Sequence, residues 1–402
     1  MVVGAGMAGT RLAQNLIEEG FSGKLCLIGE EPDAGYNRIL LSPVLSGEKT
    51  FDATLLAAPE WYAKHHVELL TSSKVVAADA AKKQVTLANG QCIQASSLVF
   101  ATGSTPFVIP LPGHDAKGVF SFRTRLDVEL MLERVATTSG RVAVIGGGLL
   151  GLEAASALAR RGAKATVVHN LDYLLQLQLN PHAAHMIQNH LEAMGVEFRL
   201  SAQTKCIRVH AGEVCGLEFE NQAPLEVDAV IMAVGVRPNV ALAKAAGLSV
   251  NRGVVVDAQM RTSHEGVYAI GECTEFEGAL FGMVAPVYDH AKVLAAELMG
   301  DRGHFAPKAL ATKLKVTGVD LFSAGDVSDN PSYEVSEYFD PEAQVYRRLS
   351  FQNNALVGAI LIGDVTDGGF LFELIQQKRD LRAVRDQIVY GQHFCNFEDA
   401  PA

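Results

Sequence analysis

A glycine pattern, G-x-G-x-x-G, constrains the folding of this chain more than any other feature, and its first copy occupies residues 4–9. A short apolar segment precedes it, a helix-type pattern over residues 8–18 follows, and the apolar segment 24–28 comes next. This order predicts a β-α-β unit with a tight turn at the glycines. In such a unit the first glycine permits the turn, the second lets a pyrophosphate approach the backbone, and the third lets the helix pack on the strand. Backbone N–H groups at the start of the helix would face the phosphates.

The residues of this turn are therefore candidates for binding a dinucleotide. They are Gly4, Gly6, Met7, Ala8 and Gly9. Glu30 ends the second predicted strand, where a carboxylate can accept hydrogen bonds from both hydroxyls of an adenosine ribose. Only three residues precede the first glycine, whereas a strand usually has about five or six. We therefore expect the sequence to begin inside that strand.

The second copy of the pattern occupies residues 146–151, between the apolar run 142–145 and a helix-type pattern that leads to the strand-type run 165–168. Its candidate contacts are Gly146, Gly148, Leu149, Leu150 and Gly151. Both copies continue through short strand-type segments to a strand that ends in a turn of small residues. We expect these turns to close over the nucleotides, with candidate contacts Ala101, Thr102 and Gly103 in the first copy and Gly235 in the second. The chain thus carries one dinucleotide-binding plan twice.

Composition narrows the class of protein. The chain has 402 residues, of which 49% are apolar and 20% charged, as expected of a globular α/β protein with two or three compact units. Its net charge of −11 argues against nucleic-acid binding, and no apolar run reaches the ~18 residues of a membrane span. The six cysteines are scattered without metal-ligand spacing, and no signal segment is visible. We therefore expect reduced thiols, no metal site and a soluble protein in the cytoplasm.

Residues 262–272 resemble a segment, T-S-x-x-x-V-Y-A-x-G-D, of the flavoprotein oxidoreductases that bind two dinucleotides. In that superfamily the acid of this segment contacts the ribityl chain of the flavin. Here Gly271 is followed by Glu272, which is one carbon longer. The resemblance implies FAD at the first glycine turn and NAD(P)H at the second, with a hydride passing from the nicotinamide to the flavin. We call each turn with its adjoining helix start a cradle. A helix that begins near Pro286 is expected to direct its N-terminus toward the flavin.

The fold that the resemblance implies is α/β, with two Rossmann-like domains as in glutathione reductase and a small α+β domain at the C-terminus. We expect the FAD-binding domain to comprise residues 1–110 and 236–302, and the NAD(P)H-binding domain to comprise residues 111–235. Residues 303–402 would form the C-terminal domain. Strand-type runs followed by a final helix pattern give this last part its α+β character.

A closer resemblance is carried by residues 35–45, 271–273 and 281–286, with residues 385–391 near the end. These segments look like the flavoprotein part of assimilatory NAD(P)H nitrite reductases and the separate flavin subunit of assimilatory nitrate reductases. The resemblance implies an FAD enzyme that oxidises NADH and delivers electrons to a metal-bearing partner, with the catalytic subunit of assimilatory nitrate reductase favoured. A nitrite reductase would continue into iron–sulfur and sirohaem regions that need clustered cysteines, whereas Cys395 stands alone.

Three alternatives stand beside this interpretation. Disulfide reductases of the superfamily carry a C-x-x-x-x-C that is missing between Glu30 and Ala81, so a redox disulfide is excluded. Rubredoxin and ferredoxin reductases commonly have Lys where Pro43 stands, which weakens that interpretation without removing it. A regulatory flavoprotein without useful turnover stays open because no obligatory acid–base residue is visible.

Three single residues carry the remaining expectations, each with an alternative. Arg38 is expected to neutralise the flavin pyrophosphate, or else to form a surface ion pair. Glu153 resembles a residue that the family places near the nicotinamide, where it would be catalytic, or else it faces the domain interface. His169 stands where an acid usually binds the ribose of NADH. Because no arginine accompanies it, NADH is favoured, with NADPH possible through a protonated ring. The alternative for His169 is a ring that faces solvent. The oligomeric state of the protein stays open.

Overall fold

The computed structural model describes residues 1–308, 311–316 and 318–395. The helices are α1 (Met7–Glu18), α2 (Leu41–Ser46), α3 (Pro59–Lys64), α4 (Arg125–Thr137), α5 (Leu149–Arg160), α6 (Pro181–Ala193), α7 (Ala241–Ala245), α8 (Val284–Met299), α9 (Gly368–Gln377) and α10 (Arg385–Ile388). The strands are β1 (Val2–Val3), β2 (Leu25–Ile28), β3 (Val67–Leu70), β4 (Val75–Asp79), β5 (Gln84–Leu87), β6 (Cys92–Gln94), β7 (Leu98–Phe100), β8 (Ser104–Pro106), β9 (Val119–Phe120), β10 (Arg141–Ile145), β11 (Lys164–Val168), β12 (Glu197–Arg199), β13 (Thr204–His210), β14 (Glu213–Phe219), β15 (Ala229–Met232), β16 (Val236–Pro238), β17 (Val254–Val255), β18 (Val267–Ala269), β19 (Thr274–Phe276), β20 (Ala279–Leu280), β21 (Ala311–Val316), β22 (Val319–Gly325), β23 (Glu334–Asp340), β24 (Val345–Gln352) and β25 (Ala355–Ile362). Within the described ranges, no helix combines the length and the apolar character that crossing a membrane requires.

The first sheet is parallel and has the strand order β18-β7-β1-β2-β3. In its central strand, Val3 lies opposite Ile28 on one side and Phe100 on the other, and all three side chains are buried. Helices α1 and α8 add their apolar side chains to the same core. Strand β18 comes from far along the chain, after all the strands of the second sheet. The carboxyl ends of these parallel strands meet at one edge, where ligands bind in open α/β sheets.

The second sheet repeats this plan with the order β12-β11-β10-β15-β9. Strands β10, β11, β12 and β15 take the places of β1, β2, β3 and β7, and Ile145 in β10 lies opposite Val168 and Met232. Helix α5 covers one face with the buried side chains of Leu152 and Leu158. The duplicated Rossmann-like plan expected from the glycine patterns is confirmed. The copies differ at their outer strand, because β9 precedes its glycine turn in the chain and β18 follows its own.

The C-terminal part is an antiparallel sheet of order β21-β22-β25-β24-β23 with α9 against it. Side chains alternate between its two faces, as they must in a strand. Tyr346 and Ile360 join the core that also contains α5. Phe351 and Leu361 instead pack with Leu371 of α9. The sheet thus lies between α9 and the second Rossmann-like unit, in agreement with the expected α+β character.

Candidate functional site

The two glycine turns share one geometry. At the first turn a Cβ on Gly4 would lie 2.1 Å from the carbonyl oxygen of Ala101, and a Cβ on Gly9 would lie 2.0 Å from that of Gly4. At the second turn the matching distances are 2.3 Å from Gly146 to Ala233 and 2.0 Å from Gly151 to Gly146. Gly4 and Gly146 also have positive φ, at 116° and 123°. Only glycine fits at these positions.

The middle glycine of each turn is different. A Cβ built on Gly6 or on Gly148 would meet nothing within 4 Å. Both residues are N-caps without a side-chain cap, so the N–H groups of the first turns of α1 and α5 lie beside open space. Such a helix start attracts phosphate. Each turn therefore has a backbone surface that a pyrophosphate can approach.

A cleft of about 2210 Å³ opens at the carboxyl edge of the first sheet and extends to the start of α5. Ligand pockets usually hold about 300–1,000 Å³, so this cleft has room for more than one cofactor. Its lining includes these predicted residues: Gly4, Gly6, Met7, Ala8, Glu30, Arg38, Ala101, Thr102, Gly103, Leu149, Leu150, Glu153 and Glu272. Gly9 and Gly271 lie behind the lining, packed against Gly4 and Ala8. Gly146, Gly148, Gly151, His169 and Gly235 lie outside it.

Glu30 follows β2 at the edge of the cleft. Its Oε1 is 2.7 Å from Nζ of Lys74, and both side chains are well exposed. An exposed ion pair of this kind contributes little stability. The carboxylate is therefore available to a ribose at this edge of the sheet.

Arg38 is held in the wall of the cleft by neighbouring side chains. Its guanidinium forms an ion pair with Glu31 and donates to the hydroxyl of Tyr36 at 2.7 Å and to the carbonyl oxygen of Arg123 at 2.8 Å. The Tyr36 hydroxyl in turn donates to Oε2 of Glu31 at 2.5 Å, and burial raises the pKa of Tyr36. The positive charge of Arg38 is thus already compensated by a carboxylate. Arg38 thus forms a partly buried ion pair that lines the cleft. The ion-pair alternative placed it on the surface, and its expected contact with a pyrophosphate stays a prediction.

Glu272 lies at the end of β18 and faces the same cleft. Its Oε2 accepts hydrogen bonds from Nη2 of Arg123 at 2.5 Å and from Oγ of Ser104 at 2.8 Å. Arg123 was missed by sequence reasoning. A signal for it exists, since Thr124 and Asp127 form a capping box that starts α4. Arg123 directly precedes this box, so the start of α4 positions it at the cleft.

Glu153 lies on α5, and its side chain lines the cleft. Its Oε2 accepts a hydrogen bond from Oγ of Ser42 at 2.6 Å. Burial raises the pKa of Glu153, and the Ser42 hydroxyl opposes that rise. Ser42 was also missed by sequence reasoning, because it is separated from Glu153 by more than a hundred residues in the chain.

His169 follows β11 and turns toward the glycine loop. The residue is 6% exposed, and Nδ1 of its ring accepts a hydrogen bond from the N–H of Gly147 at 3.2 Å. Burial lowers the pKa of His169. The solvent-facing alternative for His169 is therefore wrong, because the ring packs against the loop. The residues that are exposed at this strand end are Asn170, Leu171 and Asp172.

Helix α8 begins at Val284, two residues before the predicted start at Pro286. Met283, Val284 and Ala285 line the cleft, so the N-terminus of this helix opens onto the candidate cofactor site. The direction of this helix dipole toward a bound flavin stays a prediction.

Comparison with known proteins assigns most of the chain to two families of domains. Residues 1–297 match the pyridine nucleotide-disulphide oxidoreductase family, and residues 311–379 match the rubredoxin NAD+ reductase C-terminal domain. An NAD(P)H nitrite reductase of Bacillus subtilis (strain 168) is 39% identical over 385 residues, which cover 95% of this chain and 47% of the relative. The assimilatory nitrate reductase electron transfer subunit of the same organism is 36% identical over 391 residues, which cover 97% and 50%.

Among solved structures, the NADH:rubredoxin oxidoreductase of Clostridium acetobutylicum superposes with a TM-score of 0.82 at 26% identity, over 97% of each chain. The chain spans about half the length of the curated relatives named above. The family match takes in both glycine turns and the Glu272 segment. The chain therefore belongs to the pyridine nucleotide-disulphide oxidoreductase family, whose members bind FAD and NAD(P)H.

Proposed function

We propose that this chain oxidises NADH and passes the electrons through FAD to a partner redox protein with a metal centre. The observation that carries the proposal is the single cleft lined both by the first glycine turn and by Leu149, Leu150 and Glu153 at the start of the second nucleotide-binding helix. Two dinucleotides bound to these turns would bring their reactive rings into one cavity. FAD, when bound, accepts a hydride from NADH and releases electrons singly to a metal centre.

We assign one cofactor to each glycine turn. In the proposal, the FAD unit comprises residues 1–110 and 236–302, with the pyrophosphate at Gly6 and the α1 N-terminus, the ribose at Glu30 and the ribityl chain at Glu272. The NADH unit comprises residues 111–235, with the pyrophosphate at Gly148. The remaining predicted contacts shape the two turns: Gly4, Met7, Ala8, Gly9, Ala101, Thr102, Gly103 and Gly271 for FAD, and Gly146, Leu149, Leu150, Gly151 and Gly235 for NADH.

The donor is NADH rather than NADPH in this proposal. Residues 169–172 at the end of β11 contain an acid, Asp172, and no arginine. A 2′-phosphate needs a cation at this place, whereas ribose hydroxyls need an acceptor. His169 gives the loop its shape through Gly147 and offers no exposed charge to a phosphate.

The acceptor we favour is the catalytic subunit of assimilatory nitrate reductase, in the cytoplasm. The similarity to an assimilatory nitrate reductase electron transfer subunit supports this acceptor. The six cysteines are free thiols, which supports the cytoplasm as the compartment. A reductase of rubredoxin or a ferredoxin is the second candidate. The C-terminal match and the likeness to an NADH:rubredoxin oxidoreductase support that one.

The test begins with the yellow holoprotein mixed with NADH in the absence of oxygen. We expect the holoprotein to hold on the order of one flavin per chain. Its absorption near 450 nm should bleach within seconds, since typical turnover numbers are about 1–10³ s⁻¹. Rates with isolated rubredoxin, ferredoxin and the nitrate reductase catalytic subunit then choose the acceptor. A protein that stays yellow, or bleaches only over hours, contradicts both enzyme proposals and supports a regulatory flavoprotein.

A further inference from the structure

A hydrogen bond joins the two nucleotide-binding units inside the cleft. Ser42 Oγ, on α2, donates to Oε2 of Glu153, on α5, at 2.6 Å. Both residues line the cleft. Helix α2 belongs to the segment between β2 and β3 of the first sheet, whereas α5 follows the glycine turn of the second. The contact therefore depends on the relative position of the two cradles.

Helix α2 is firmly held on α5. Leu41 and Leu45 are buried in the core that contains α5. The Arg161 side chain donates through Nε to the carbonyl oxygen of Leu45 at 3.2 Å, and Arg160 forms an ion pair with Glu48 at 2.6 Å. These contacts fix the backbone on both sides of the Ser42–Glu153 bond. The backbone of Ser42 is consequently held beside α5 by contacts within the chain.

Among the described side chains, little positive charge lies near Glu153. The ion pairs among described residues do not include Glu153, and Ser42 is the hydrogen-bonding group that favours its ionised form. At the end of α5 far from Glu153 stand the basic residues Arg160 and Arg161. Among the elements that pack against α5, β10 and β11 begin with Arg141 and Lys164, and α2 has no charged residue. The sequence of β21 contains Lys313 and Lys315. Burial opposes ionisation, and among the described side chains the Ser42 hydroxyl is the group that favours the charged carboxylate.

We propose that Ser42 is a positioning residue that keeps the Glu153 carboxylate ionised and aimed at the nicotinamide site. This inference rests on the proposed function. With both cofactors bound, transfer of a hydride, which is a proton with two electrons, from NADH to FAD would leave a positive charge on the nicotinamide ring. A fixed carboxylate beside the ring stabilises that charge as it develops. If Glu153 is protonated, it must release its proton to solvent before it can stabilise that charge. Glu153 gains or loses no other atom.

The first measurement follows the Glu153 carboxyl itself, without turnover. In the holoprotein, the infrared C=O band of protonated Glu153 is assigned by its absence in Glu153→Gln and is followed from pH 4 to 9. We expect Ser42→Ala to move the midpoint of this titration upward by about one pH unit, because it removes a hydrogen bond to a charged group. Ser42→Thr, which keeps the hydroxyl, should restore the wild-type midpoint.

The second measurement is the rate of anaerobic flavin reduction at saturating NADH over the same pH range. We expect the profile of Ser42→Ala to move upward by the same amount as the infrared midpoint, with the plateau at high pH retained. Ser46→Ala, one turn along α2 with its hydroxyl on the carbonyl oxygen of Pro43, is the matched control and should move neither.

The outcomes separate the two proposals. An unchanged infrared midpoint in Ser42→Ala, or an equal shift in Ser46→Ala, overturns the role of Ser42. A shifted midpoint without a shifted rate profile also overturns it, because Glu153 would then not act on hydride transfer. Failure of the wild-type protein to bleach with NADH instead defeats the proposed function, and the infrared midpoint still decides whether Ser42 holds Glu153.

Discussion

The glycines of each turn divide into two kinds at the scale of single residues. Gly9 and Gly151 face backbone, since an added Cβ would lie 2.0 Å from a carbonyl oxygen. Gly6 and Gly148 face open space and have negative φ, so alanine fits their backbone without strain. The first kind serves the packing of helix on strand. The second kind serves ligand approach, which makes the two cradles separately testable.

Gly6→Ala and Gly148→Ala should therefore have different effects on the two cofactors. We expect Gly6→Ala to weaken FAD binding tenfold or more, a change of about 1.4 kcal/mol, while the apoprotein keeps its Tm. Gly148→Ala should stay yellow and raise KM for NADH by about the same factor. Fluorescence titration with FAD and steady-state kinetics measure these effects. The reverse pattern, with NADH binding lost in Gly6→Ala only, would exchange the cofactor assignment of the two turns.

His290 on α8 supports the Gly271 turn at the scale of elements. Its ring is fully buried between Phe281 and Phe305, and Nδ1 accepts a hydrogen bond from the N–H of Gly271 at 3.3 Å. Since Nδ1 accepts, the neutral ring carries its proton on Nε2. The helix thus fixes the backbone just before Glu272. Burial lowers the pKa of His290 to about 4.

This buried ring predicts a loss of stability in acid. The unfolded chain takes up a proton on His290 near pH 6.5, whereas the folded chain does so only near pH 4. The contribution is complete above pH 6.5 and falls as the pH drops through this window, by about 3 kcal/mol at most. We expect the fall in apoprotein Tm between pH 7.5 and 4.5 to be smaller by several degrees in His290→Leu.

Removal of an exposed histidine is the control for this experiment. His210→Gln should leave the pH-dependent fall in Tm unchanged, because the side chain is exposed at the end of β13. If His290→Leu loses as many degrees as the wild-type protein over the same pH interval, burial of the neutral ring does not contribute to acid sensitivity.

The attachment of the C-terminal sheet belongs to the scale of the whole molecule. Tyr346 in β24 is 1% exposed and stacks on His182 of α6 with ring centroids 4.8 Å apart. Its hydroxyl accepts from Nδ2 of Asn180 at 3.0 Å and donates to Glu337 at 2.7 Å. Ser323 also donates to the carbonyl oxygen of Gln178, which lies in the cleft lining, at 2.7 Å. The sheet thereby holds a loop that contributes Gln178 to the cleft lining.

Tyr346→Phe should loosen this attachment. The change leaves a buried amide of Asn180 without its partner, which costs about 1–3 kcal/mol. At roughly 2–4 °C per kcal/mol for a unit of 150–250 residues, the Tm should fall by several degrees. Thermal unfolding followed by circular dichroism measures the change. Tyr338→Phe, on the neighbouring strand β23, is the matched control, and an equal fall in both variants would contradict a specific role for the Asn180 bond.

The sequence by itself determined the local parts of the site. The glycine turns, the helix starts behind them and the repeated succession of strand and helix along the chain were all predictable, because they follow from backbone sterics and from the spacing of apolar residues over short stretches. Even the start of α8 was placed within two residues. Glu272 was singled out by the resemblance of its segment, and it lies in the cleft lining just after β18.

Only the tertiary structure decided which side chains pair across the cleft. Ser42 with Glu153, and Arg123 with Glu272, join residues more than a hundred positions apart, and no local pattern marks either pair. The compensation of Arg38 by Glu31 and the inward turn of His169 depend on burial and on neighbours that packing supplies. Hydrogen bonds and charges act over a few ångströms in space, so their partners become known only when the two units are brought together.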